Sequence, residues 1–180
     1  MKPKTLSVLL LENNLADAEL IEELLEQEEI SSIDIKNVNR VRDALEMLNT
    51  SNFDVILLGL SLPNGKETDI IVQLKKQKPN VPIIVLTMLN DLNTAIRSVR
   101  KGAQDYLIKN SLEAELLIRS IRYAIERQRN ERAWRKRAQR ERLMAKMLER
   151  IRQSLDLQTI LQTTVDEVRQ FLQTDRVLIY

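Results

Sequence analysis

The sequence contains no cysteine and no histidine among its 180 residues. Without cysteine there are no disulfides and no thiolate metal sites, and without histidine there is no imidazole zinc site and no triad of the Ser-His-Asp type. Aromatic residues make up only 3% of the chain, and no apolar run approaches the ~20 residues that cross a bilayer. These absences favour a cytoplasmic binding module over an enzyme or a membrane protein.

The amino-terminal stretch MKPKTLSVLLLENN is interpreted as a first strand and not as a signal peptide. Its apolar run is short and leads into an acidic helix without a small-residue cleavage site. Charge is divided unevenly along the chain. Residues 1–110 contain 13 Lys and Arg against 16 Asp and Glu, a net charge of −3, whereas residues 111–180 contain 15 against 10, a net charge of +5. The hydrophobic pattern changes at the same point, which indicates a boundary near Asn110.

Up to this boundary, strand-like and helix-like periods alternate. Short runs of Val, Ile and Leu predict buried strands, and the segments between them have apolar residues at helical spacing. The predicted strands are residues 7–11, 33–38, 55–58, 81–86 and 105–108. Near-continuous apolar strands that alternate with helices predict a parallel sheet covered on both faces. The fold class is therefore α/β, a flavodoxin-like (βα)5 doubly wound sheet, whose ligands bind at the carboxyl ends of the strands.

Polar residues and one glycine are expected at that edge. The first strand is followed by Glu12 and Asn13, the third ends at Gly59, the fourth at Thr87 and the fifth at Lys109, with Tyr106 three residues earlier. Together with the frames LLLENNLADAELIEELL, DVILLGLSLPNG, VPIIVLTML and RKGAQDYLIKN, this pattern resembles the response-regulator receiver domain over residues 5–125.

The resemblance implies a phosphoryl group taken onto an Asp carboxylate after strand three, helped by Mg²⁺ bound through an acidic pair. Here the acceptor position is Gly59, which has no nucleophile, and Asn13 replaces the second acid beside Glu12. Asp54 lies about 16 Å back along the strand, at ~3.3 Å per residue, which is too far to replace the acceptor. The sequence therefore predicts a pseudo-receiver with a degenerate phosphorylation site, no catalytic residue, no metal and no cofactor.

The remaining site residues are expected to have structural roles. An ion pair between Glu12 and Lys109 is favoured over binding of a ligand by either residue. The hydroxyl of Thr87 is expected to bond to nearby backbone. Tyr106, which looks like the family's switch aromatic, is expected to be a half-buried strand residue.

Beyond Asn110 the pattern predicts one long helix that continues the last receiver helix. Asn110 and Glu113 resemble a capping box, and no Pro or Gly occurs from there to residue 155. Heptad a and d positions fall at Trp134, Arg137, Glu141, Met144, Leu148, Ile151 and Leu155, with a stutter near residues 128–134. We predict a homodimer through a parallel coiled coil, which resembles the signalling helices of bacterial multidomain proteins.

A second dimer surface is predicted on the receiver face formed by its fourth helix, fifth strand and fifth helix. Asp105 and Arg119 match positions where related receivers place an ion pair used in symmetric dimers. Val99 and Leu117 would supply the apolar centre, although a place in the local core fits them equally well. A protein partner on the receiver surface is also expected.

The final segment, RQSLDLQTILQTTVDEVRQFLQTDRVLIY, resembles the opening helix and first strand of a GAF domain in the style of cyanobacterial phytochrome-like sensors. The predicted organisation is a pseudo-receiver over residues 1–125, a coiled-coil signalling helix over 126–155 and the start of a GAF domain over 156–180. The predicted function is coupling of the receiver to downstream GAF and output domains.

The basic part of the long helix supports an alternative. Residues 126–142 contain eight Arg and Lys and three Glu, a net charge of +5. Basic helices bind nucleic acid through its phosphates, and receivers joined to RNA-binding antiterminator modules form a class. The interspersed Glu residues and the lone Trp134 favour ion pairing in a coiled coil instead, so that RNA or DNA binding is the alternative function. A further alternative is a receiver that still works as a phosphorylated switch.

Overall fold

The structure is a computed structural model, and it describes residues 5–27, 32–60, 67–88, 92–154 and 157–173. Strands and helices alternate over most of this length. Their order is β1 (Leu6–Leu11), α1 (Leu15–Glu26), β2 (Ile33–Val38), α2 (Val41–Thr50), β3 (Val55–Gly59), α3 (Glu67–Gln77), β4 (Ile83–Thr87), α4 (Leu92–Arg100), β5 (Asp105–Ile108), α5 (Ala114–Ser154) and α6 (Leu157–Leu172). The five predicted strands are confirmed, and their bounds shift by at most two residues at either end.

The five strands form one parallel sheet in the order β2-β1-β3-β4-β5. The order reverses between β1 and β3, where a doubly wound fold places its functional edge. Every residue of β3 and of β4 is buried, which explains why both strands are apolar up to their last residue. The flavodoxin-like fold class is therefore confirmed.

The side chains of the strands divide between two apolar cores because successive residues of a strand point to opposite faces. One core combines alternate strand residues with α1 and α5, and the other combines the remaining strand residues with α2 and α3. Leu117 is fully buried in the first core. Of the two places open to Leu117, the structure shows the local core, so that this residue does not supply the apolar centre of a dimer surface.

The start of α5 also differs from the prediction. A 3₁₀ turn over Lys109–Ser111 separates β5 from the helix, and the amide of Leu112 donates to the carbonyl of Lys109 at 3.2 Å. Helix α5 begins at Ala114, so that Asn110 lies inside the turn and does not cap the helix. The capping box proposed for Asn110 and Glu113 is wrong for this reason.

The chain divides into two compact units, Met1–Arg132 and Ala133–Tyr180. Helix α6 covers the predicted opening helix of the GAF segment, whereas the predicted strand over residues 176–180 lies outside the described residues. The predicted boundaries at residues 125 and 155 stay predictions. No helix in the described part of the chain combines the length and hydropathy that crossing a bilayer requires.

Candidate functional site

The strand register brings the predicted site residues to one edge of the sheet. The paired residues are Leu11 with Leu58, Gly59 with Leu86, and Thr87 with Ile108. Glu12 follows β1 directly and Lys109 follows β5 directly. The carboxyl edge of the sheet is therefore shared by four of these residues, namely Glu12, Gly59, Thr87 and Lys109. The order of the motifs in the sequence predicted this.

The centre of the site is an ammonium group between two carboxylates. The Nζ atom of Lys109 lies 2.6 Å from Oε2 of Glu12 and 2.6 Å from Oδ2 of Asp17. The Glu12 side chain is 0% exposed, that of Lys109 5% and that of Asp17 25%. The predicted pair of Glu12 and Lys109 is present, and Asp17 extends it to a set of three charges that we call the ion triad.

The local backbone around α1 positions both carboxylates. The amide of Asn14 donates to Oε1 of Glu12 at 3.0 Å, so that both oxygens of this carboxylate have a partner. The side chain of Asn14 caps α1 by accepting from the amides of Ala16 and Asp17. The cap fixes the first turn of α1, which carries Asp17 to Lys109. Asp17 was not predicted as a site residue, although an acid in the first turn after β1 is the signal that points to it.

Gly59 lies directly against the Glu12 carboxylate. A Cβ atom added to Gly59 would lie 2.7 Å from Cδ and 3.2 Å from Oε1 of Glu12. Carbon atoms that are not bonded attract each other best at about 3.5–4.0 Å, so that any side chain at position 59 requires Glu12 to move. The Glu12 carboxylate therefore occupies the space that a side chain at the acceptor position would need.

The other predicted site residues are not part of the triad. Thr87 is buried, and its hydroxyl donates to the carbonyl of Met88 at 3.3 Å, the backbone bond expected of a structural role. Asn13 is exposed, and Tyr106 is half-buried against the core formed with α2 and α3.

The residues at this edge do not fit the magnesium ion that receivers use. Mg²⁺ requires near-octahedral oxygen ligands and is usually held by carboxylates together with water and phosphate oxygens. Here Gly59 offers no oxygen from a side chain, Asn13 is neutral, and the carboxylates of Glu12 and Asp17 already bind the Lys109 ammonium. In the described part of the chain, no three Asp, Glu, His or Cys side chains cluster as metal ligands.

The opposite edge of the sheet holds a second buried polar group. The side-chain amide of Gln104 donates to Oε1 of Gln128 at 2.7 Å, and Gln128 donates to the carbonyl of Pro79 at 3.4 Å. Oε1 of Gln104 accepts from Lys75 and from the amide of Ile83, both at 3.2 Å. Gln128 is 5% exposed and is the last buried residue along the described part of α5.

The predicted dimer residues of the second unit are exposed within one chain. Trp134, Met144, Leu148 and Ile151 have exposed fractions of 68%, 64%, 66% and 52%, and Leu155 lies outside the described residues. Leu143 and Met147, which the heptad assignment did not include, are also exposed. Arg137 and Glu141 form an ion pair of 3.2 Å along the helix.

On the receiver unit, the residues of the predicted surface ion pair are exposed, but the apolar centre is smaller than expected. Asp105 and Arg119 are exposed, and Val99 is 40% exposed. Because Leu117 is buried in the core, Val99 and the neighbouring Ile96, which is 42% exposed, form the apolar part of this face.

The chain is similar to known receiver domains in both sequence and fold. The response regulator receiver domain model matches residues 8–121. A response regulator receiver domain protein from Clostridium thermocellum superposes with a TM-score of 0.60 at 26% identity, covering 69% of this chain and 97% of that structure. The sheet and its carboxyl edge are thus those of a receiver. The chain belongs to the response regulator receiver family, whose members are signalling modules.

Curated relatives extend well beyond the matched region. The luminescence regulatory protein LuxO of Vibrio campbellii is 42% identical over 95 residues, which are 53% of this chain and 21% of that protein. The cell cycle transcriptional regulator CtrA of Caulobacter vibrioides is 29% identical over 112 residues, 62% of this chain and 47% of that protein. The match thus spans about a fifth of LuxO and less than half of CtrA.

Proposed function

We propose that this chain is a pseudo-receiver, a cytoplasmic signalling and dimerisation module that takes no phosphoryl group and is not an enzyme. The observation that carries the proposal is the ion triad beside Gly59. A phosphoryl acceptor needs an accessible nucleophile, and a receiver needs a cation to neutralise the transferred group. Position 59 supplies no nucleophile, and the Lys109 ammonium holds the carboxylates that a cation would need.

The neighbouring oxygens are poor substitutes for the missing acceptor. The Glu12 carboxylate is inaccessible to solvent and has hydrogen bonds on both oxygens. Asp17 is one-quarter exposed, but one of its oxygens is bound to Lys109. The Thr87 hydroxyl is buried and donates to backbone. None of these groups combines access to a phosphoryl donor with a free oxygen next to a cation site.

The test is chemical. The protein is incubated with acetyl phosphate, or with beryllofluoride, in the presence of Mg²⁺, beside a receiver that has its acceptor Asp as the positive control. We expect no added phosphoryl mass by intact mass spectrometry and no Mg²⁺-dependent change in tyrosine or tryptophan fluorescence. A phosphorylated species in this chain under conditions that phosphorylate the control would contradict the proposal.

The same proposal assigns the long helix to dimerisation. Apolar side chains at the heptad positions of α5 are more than half exposed in one chain, and a second helix in parallel register would remove them from water. The polar pair Arg137 and Glu141 interrupts the seam, and polar residues at such positions specify register at a cost in stability.

The parallel dimer would deliver two GAF domains and their output domains side by side, which is the coupling we propose. The basic-helix alternative makes a different prediction, namely retention of labelled RNA or DNA that weakens with salt. The i,i+4 ion pairs of Arg127 with Glu131 and of Arg137 with Glu141 reduce the charge available to phosphates and favour the coiled coil.

A further inference from the structure

We infer that Glu12 replaces the missing acceptor carboxylate: from the end of β1 it fills the space beside Gly59 and supplies the anion that Lys109 requires. The assignment rests on the proposed function, since it presupposes a receiver without an acceptor. With Glu12 as its partner, the buried Lys109 charge is neutralised although position 59 has no carboxylate.

The steric part of the inference follows from the approach of Glu12 to Gly59. A Cβ atom at position 59 would lie within 2.7 Å of the Glu12 Cδ atom. The present position of the Glu12 carboxylate is therefore incompatible with an Asp at position 59. Conversely, removal of the Glu12 side chain would leave space next to Gly59 that the side chain of an Asp could enter.

The electrostatic part follows from the burial of Lys109. A buried charge is strongly unfavourable unless it is paired and hydrogen-bonded. Of the two carboxylates bound to Lys109, only that of Glu12 is fully removed from solvent, and its second oxygen is held by the Asn14 amide. Glu12 is therefore the fixed partner in the ion triad, whereas Asp17 binds from the solvent side.

These two parts predict that a carboxylate can be moved from position 12 to position 59. Glu12→Ala removes the buried partner of Lys109, and Gly59→Asp introduces both a clash and a third carboxylate. Glu12→Ala alone is expected to lower the folding equilibrium constant at least about tenfold, since breaking a buried ion pair is strongly destabilising. Gly59→Asp alone is expected to lower it as well, because Glu12 must give up its bonds to Lys109 and Asn14 to admit the new side chain. Combined, the two changes restore one buried carboxylate beside Lys109 and remove the clash.

The experiment is a double-mutant cycle in the full chain, with urea unfolding followed by circular dichroism. Losses at independent sites multiply in the folding constant. We expect the folding constant of the Glu12→Ala/Gly59→Asp protein to be at least about tenfold larger than the value obtained by multiplying the two single losses. The matched control is Glu12→Ala/Gly59→Asn, which has nearly the same side-chain volume without the charge and is expected to show little rescue. Equal rescue by Asn would show that only space is filled, and would overturn the electrostatic part.

Amine labelling mapped by mass spectrometry reports directly whether the Lys109 ammonium is buried and paired, which a stability measurement does not. The lysine is expected to be protected in the wild type, reactive in Glu12→Ala and protected again in the Glu12→Ala/Gly59→Asp protein. If Glu12→Ala alone does not fold, folding of the double variant supports the inference and an unfolded double variant overturns it. Phosphoryl donors are not used, so that failure here is distinct from failure of the proposed function.

Discussion

Replacing Leu148 by Asp tests the parallel dimer at the centre of its predicted seam. The residue occupies a heptad position between Met144 and Ile151, and its side chain is 66% exposed in one chain. In the predicted dimer, the two copies of Leu148 face each other across the seam. An Asp at this position would place two carboxylates in the apolar layer.

The exposed fractions give the magnitude. Full burial of a large apolar side chain is worth about 1.5–3 kcal/mol, so that residues exposed by 50–70% gain about 1–2 kcal/mol each. Met144, Leu148 and Ile151 from two chains then contribute about 6–12 kcal/mol toward an association cost of about 4–15 kcal/mol. Loss of both Leu148 side chains removes about 2–4 kcal/mol, a weakening of the dimer by about 30-fold or more before the cost of the buried charges.

Sedimentation equilibrium over a range of concentrations measures the dimer, and circular dichroism checks that the receiver stays folded. The matched control is Gln139→Asp, which introduces the same charge at an exposed heptad f position on the same helix. We expect a monomer for Leu148→Asp and an unchanged dimer for the control. A wild-type protein that is monomeric at tens of micromolar, or equal association of both variants, would refute the coiled coil.

Two further predictions concern the receiver unit. The double variant Gly59→Asp/Asn13→Asp is expected to show no Mg²⁺ binding by calorimetry. The triple variant that adds Glu12→Asp should bind Mg²⁺, because the shorter acid leaves the space beside position 59. Equal binding by both proteins would count against the steric argument. Charge reversal at Asp105 or at Arg119 should weaken self-association by up to about 1 kcal/mol, measured by sedimentation. Reversal of both charges should restore the association. If neither single variant changes it, this face is not an interface.

The sheet could be predicted from the sequence because each strand has a local signature. β3 and β4 are apolar up to their last residue, and such runs are typical of strands that are covered on both faces. The site edge followed from the order of the motifs, since carboxyl ends of parallel strands meet at one side of a sheet.

The differences from the prediction have separate causes, some distant in sequence and one local. Asp17 meets Lys109 across 92 positions, so that an acid in the first turn after β1 points to the site edge but does not identify its partner. Leu117 fitted a dimer surface and the local core equally well, and only its packing against the sheet distinguishes the two. Asn110 has the residue type of a helix cap, but the 3₁₀ turn at the end of β5 moves the helix start to Ala114.

The last prediction concerns the point where α5 leaves the receiver. Within the receiver unit, the buried segment of α5 ends at Gln128, whose hydrogen bond to Gln104 fixes this turn of the helix to the edge of the sheet opposite the ion triad. Gln128→Leu would leave the Gln104 amide without its acceptor, at a cost of about 1–3 kcal/mol. We expect faster hydrogen exchange in the turns of α5 around Gln128 and unchanged exchange in β3 and β4, with exposed Gln139→Leu as the control. Unchanged exchange around Gln128 would mean that apolar packing alone holds this part of the helix to the sheet.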